Sequence, residues 1–192
     1  MKIDLTEIYK GLAEWRAERG ITAESQKEGY LVNVMEEFGE LAQALRYYDR
    51  ALVDECSYCK AIKQTAEHGI IDALCDICVF TINAGADIPC ENKPTRLELE
   101  PCLSLYNLLR EIADHQRCFN SITLCCVLGV CASLCHQYGF DFQKAMDETI
   151  KEISSRTGAY DENAKKWVKD ESDEAKAKWY QADYELARIS NE

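Results

Sequence analysis

The chain has 192 residues, 47% of them apolar, which suits one domain with a real core. Acidic residues outnumber basic ones by 34 to 22, for a net charge of -12. Such a surface repels a nucleic-acid backbone, so no DNA or RNA partner is expected. With only 3 Pro and 9 Gly, the composition suits helices and disfavours a fold of many strands and turns.

The opening MKIDLTEIYKGLAEW lacks the shape of a signal peptide. The longest apolar stretch, about Thr123 to Cys135, falls short of the roughly 20 residues needed to span a bilayer. A cytoplasmic protein with no membrane partner is therefore expected. A first helix is expected from Asp4 to about Arg19, closed by Gly20, with Thr22 capping the next. The second spans roughly Ala23 to Asp49, because Leu31, Val34, Met35, Phe38, Leu41, Ala42 and Leu45 recur at helical spacing. A third covers about Ile62 to Ala84. The segment 87–101 holds Pro89, Pro94 and Pro101 and reads as a loop. Helices then follow at about Leu103–Arg117 and Ser121–Tyr138, the latter ended by Gly139. A sixth, capped by Asp141, runs to about Ser155. After Arg156 the sequence turns polar, charged and aromatic. Residues 156–192 are expected to form an extension with a short helix or two, packed over the bundle or a neighbouring subunit. The fold class is all-α: one domain over 1–192, a helical bundle with a four-helix core.

There are 11 Cys. Cys75, Cys78, Cys125, Cys126 and Cys131 sit inside apolar runs, where a free thiol behaves as a small hydrophobe. Cys56 and Cys59 form one C-x-x-C pair and Cys75 and Cys78 another, at a spacing used by some zinc sites. The second pair lies in IIDALCDICVF, which reads as a buried helix, and neither pair has Gly or Pro beside it. A structural zinc is therefore the lesser reading.

On the second helix, Glu36, Glu37 and Glu40 fall on one side, roughly opposite the apolar stripe. Glu37 and Glu40 are i, i+3 neighbours whose carboxylates can converge on one cation. Alone, three Glu on a polar face form an ordinary solvated surface. The third helix changes the balance. In IIDALCDICVFTI, Asp72 and Asp76 stack one turn apart on a helix apolar nearly all round, with Asn83 on the same face. No Lys or Arg lies between Lys63 and Lys93. Buried carboxylates are costly without a partner. A short connection makes the two helices antiparallel, which brings more acid, not less. A basic residue from elsewhere would neutralise the group, or a hard divalent cation held by oxygen ligands, Mg²⁺ or Mn²⁺. His68, one turn before Asp72, reads as a surface or supporting residue. No Glu-x-x-His is present, which disfavours a di-iron site.

The pair VMEEFGELAQAL and IIDALCDICVF resembles the MazG-like all-α nucleoside triphosphate pyrophosphohydrolases. EISSRTGAYDENAKKWVKD and KAKWYQADY are similar to the tails of the short phage and bacterial members, so the resemblance runs from about Asn33 to Tyr184. The family pattern has E-x-x-D in its second part. Here Ala73 stands in the Glu position with Asp72 beside it, a departure that bears on the number of metals. The resemblance implies that Glu37, Glu40, Asp72 and Asp76 hold Mg²⁺, with Glu36 a ligand or the group that orients water. Water activated by the cation would attack the α-phosphorus, releasing pyrophosphate and a nucleoside monophosphate. Arg156, Lys166 and Lys169 are candidates for the triphosphate, Trp179 or Tyr180 for stacking on the base, and Asn83 for the base or sugar. A homodimer or homotetramer is implied as well. Two other readings stand beside this one: a non-catalytic helical protein that binds metal or nucleotide, and a zinc-stabilised interaction module.

Overall fold

A computed structural model describes residues 2–52, 56–100, 103–161 and 166–190. It is all-α in class: helices α1 (Thr6–Arg19), α2 (Ala23–Ala51), α3 (Ser57–Ala84), α4 (Leu105–Cys118), α5 (Ser121–Gln137), α6 (Phe142–Ser155) and the short α7 (Asp173–Lys176) dominate. Two small antiparallel ribbons complete it. One pairs β1 (Lys2–Asp4) with β2 (Arg96–Glu98), and the other pairs β3 (Gly158–Asp161) with β4 (Lys166–Lys169). Helix boundaries follow local chemistry. Gly20 ends α1 in the left-handed region, at φ 64°. The Thr22 hydroxyl accepts the Ser25 N–H at 3.2 Å, and Asp141 accepts that of Lys144 at 3.1 Å.

The central element is α3, which packs against α1, α2, α5 and α6. Ile70, Ile71, Leu74, Ile77 and Cys78 on it are fully buried, as its nearly continuous apolar sequence requires. α2 lies along it in the opposite sense and approaches closely at Gly69, where an added Cβ would meet that of Ala44 at 3.3 Å. No helix among the described residues is long and apolar enough to cross a membrane.

Four features differ from the sequence expectation. First, the inward face of α2 is shifted: Val34 and Leu41 of the expected stripe are buried and Phe38 and Leu45 pack against the core, joined by buried Tyr30 and Ala44, whereas Leu31 is 45% and Met35 44% exposed. The apolar stripe is wider than the strip α3 covers, and the contact is displaced towards Glu37. Second, α3 begins at Ser57, with the Cys56 sulfur accepting the Cys59 N–H at 3.3 Å. The first C-x-x-C pair is thus part of a helix cap. Third, the Pro-rich segment contains β2, whose Leu97 pairs with Ile3, both buried. Fourth, the extension carries a β-ribbon as well as the short α7 and a 3₁₀ turn at Tyr184–Ala187. Strands of three or four residues carry too little alternation to be read from periodicity.

Candidate functional site

The antiparallel packing of α2 on α3 brings Glu37 to Asp76 and Glu40 to Asp72. The four carboxylates stand between two cavities. One, of about 630 Å³, holds Glu37 and Asp76 and is walled by Trp15, Phe80, Arg156, Trp167 and Lys169. The other, of about 590 Å³, holds Glu40 and Asp72 and is walled by Tyr47, Tyr58, Ile62 and Ala66. Ala73 is buried, so Asp72 is the residue of that turn that reaches a cavity.

The charges here are badly compensated. Burial, then the charges of Glu40, Asp72 and Glu36, push the Glu37 carboxyl up to about 7, with Lys169 opposing. Burial, then Asp72 and Glu37, raises Asp76 well above the usual range, with Arg156 opposing. Asp72 is raised chiefly by burial as well, against a 2.7 Å hydrogen bond that the Tyr184 hydroxyl donates to it. Among the described residues, nothing gives Glu37 or Asp76 a hydrogen bond or salt bridge. Both keep some solvent access at the cavity wall.

The remaining expected residues are dispersed. Glu36 is exposed and lines neither cavity; it reaches Glu37 through charge alone. Asn83 is fully buried, and its Oδ1 accepts from Arg16 Nη1 at 2.6 Å. It faces α1 rather than the cavity, because α3 sinks into the core at this end. Arg156 lines the larger cavity but is ion-paired to Glu152 and stacked on Trp179. Lys169 lines the same cavity. The Lys166 side chain lies outside the described residues. Trp179 and Tyr180 line neither of the two cavities. The Tyr180 hydroxyl donates to Glu148, and Trp179 is occupied by Arg156. His68 bonds Glu185 at 2.7 Å and acts as a supporting residue for the tail.

No family model matches the chain, and neither does any curated protein or solved structure. The site therefore rests on its own residues, several of which sequence reasoning missed. Trp15 and Trp167 wall the larger cavity. Glu152 raises both Asp72 and Asp76, and Tyr184 fixes Asp72. Glu152 and Trp167 lie in the EISSRTGAYDENAKKWVKD segment and Tyr184 closes KAKWYQADY, but none had a signal of its own as a site residue, and Trp15 had none at all.

The donor set is all carboxylate oxygen, which suits a hard divalent ion and not zinc. Among the described residues, no three His, Cys, Asp or Glu side chains converge tightly enough to hold an ion alone. Mg²⁺ commonly takes only one or two carboxylates and completes its shell with water and substrate phosphates. An open, uncompensated quartet beside Arg156 and Lys169 fits that mode.

Proposed function

We propose that the chain hydrolyses a nucleoside triphosphate to the monophosphate and pyrophosphate in a Mg²⁺-dependent reaction (Mn²⁺ being the other candidate), as the MazG-like resemblance implies. The observation that carries this reading is the quartet Glu37, Glu40, Asp72 and Asp76: two acidic turns on facing helices, without basic partners between them among the described residues, next to Arg156 and Lys169 in a nucleotide-sized cavity. Bound there, Mg²⁺ would neutralise phosphate charge and acidify a water. The chain's own groups then divide the work. Glu37 and Asp76 bind on the larger-cavity side and Glu40 and Asp72 on the other. Tyr184 holds Asp72 in place. Arg156 and Lys169 bear on the triphosphate oxygens, where positioning and charge compensation are most of what phosphoryl chemistry requires. Water oxygen bonds to the α-phosphorus, the α–β anhydride bond breaks, and pyrophosphate leaves with the bonding electrons. The water's proton leaves to solvent through the open cavity, while Glu37 and Asp76 stay on the cation that would acidify the water.

The same reading includes a cytoplasmic homodimer or homotetramer. Exposed Leu31, Val32 and Met35 on α2 support it as a surface for a second copy. A cation- or nucleotide-binding protein without turnover is the second reading, favoured by the buried Ala73. Mg²⁺-dependent pyrophosphate release by the wild type separates the two, and the Asp76→Asn variant tests the quartet. It removes one repelling charge, so its melting temperature without divalent cation is expected to equal or exceed wild type while pyrophosphate release vanishes. Near-normal turnover in that variant would refute the assignment of the quartet.

A further inference from the structure

The larger cavity contains an aromatic group for which the carboxylate chemistry has no use. Trp15 and Trp167, far apart in sequence, both line it, and the Arg19 guanidinium carbon lies 5.2 Å from the centre of each ring. Arg19 is itself fixed: it is 9% exposed, and its Nη2 donates to the carbonyls of Ser154 and Arg156 at 3.1 Å, closing the end of α6. Trp167 is fixed by its ribbon too. An added Cβ on Gly158 would come within 2.5 Å of the Trp167 ring and 2.2 Å of the Val168 carbonyl oxygen, so the indole lies across a position that only glycine can fill. The two-residue period of a strand puts Trp167 and Lys169 on one face of β4, and both line the cavity, while Val168 is 42% exposed.

We infer that Trp167, carried by the β3–β4 ribbon and backed by Arg19, is the platform on which the base of the bound nucleotide stacks, with Lys169 beside it on the phosphates. This rests on the nucleotide reading above and specifies it. A ring-free polyphosphate would engage Lys169 and Arg156 but leave Trp167 idle. A base would use its face, and Gln26 and Asn33 in the same cavity offer hydrogen bonds to a base edge. Arg19 is a positioning residue, since it reaches the ligand only through the indole.

The test is calorimetric binding, in Mg²⁺, of a nucleoside triphosphate with a non-hydrolysable α,β-methylene bridge, with inorganic tripolyphosphate as the ring-free control. Trp167→Leu is expected to weaken the nucleotide about tenfold and tripolyphosphate by less than about twofold, and Trp167→Phe to restore most of the loss. In turnover the Leu variant raises KM and leaves kcat nearly unchanged. Equal weakening of both ligands, or weakening of neither, overturns the inference. Nucleotide binding with the expected pattern but no hydrolysis upholds it while the hydrolase reading falls. Hydrolysis with wild-type affinity in Trp167→Leu does the reverse, and failure of the wild type to bind any nucleotide removes both.

Discussion

Glu37 stands between Val34 and Leu41 on the face of α2 that packs against α3, and its carboxyl is raised to about 7. Below pH 4.5, the ordinary value, folded and unfolded chains both keep that proton, and the group has no effect on stability. Between pH 4.5 and about 7 the unfolded chain gives it up while the folded one retains it, so stability falls across that window and stays lower above it. Without divalent cation, the melting temperature of wild type is therefore expected to drop relative to Glu37→Gln from pH 4.5 to 7, by an amount on the order of several degrees. Adding Mg²⁺ at pH 8 should close the gap from the wild-type side. A pH-independent difference between the two proteins would mean that Glu37 is not held out of water as described. The sequence placed Glu37 on the polar side of α2. Its true setting depends on which part of a wide apolar stripe α3 selects, and periodicity within one helix does not encode that choice.

Tyr184 shows how the tail reaches the site. Its hydroxyl, contributed by a 3₁₀ turn, donates to Asp72 on α3 and lies 3.0 Å from the Thr149 hydroxyl on α6. Tyr184→Phe is expected to cost about 1 kcal/mol of stability and to lower turnover about tenfold or more, as loss of a group that orients a ligand typically does. Urea denaturation and steady-state kinetics on the same preparation check both effects, and full activity with reduced stability would make the contact merely structural. The elements themselves were unevenly legible. Helix ends were read well wherever a cap is local, as at Gly20, Thr22 and Asp141. The ribbons were not, because β1 finds its partner more than 90 residues away and β4 is defined by where Trp167 docks rather than by its own alternation.

Across the whole molecule the sequence showed the acid and missed most of its surroundings. The buried acidic turn of α3 was legible because carboxylates stand out in an apolar helix. Trp15, Glu152, Trp167 and Tyr184 come from α1, α6, β4 and the tail, and only tertiary packing brings them to the quartet. We propose that this convergence makes an α-phosphorus hydrolase. The most direct measurement incubates the purified protein with a panel of canonical and modified nucleoside triphosphates and Mg²⁺ in ¹⁸O-water and follows the products. The predicted result is equimolar monophosphate and pyrophosphate, formed only with divalent cation, with the isotope on the monophosphate. Release of orthophosphate and a diphosphate, isotope on the pyrophosphate, or no cation-dependent hydrolysis of any member of the panel would contradict it.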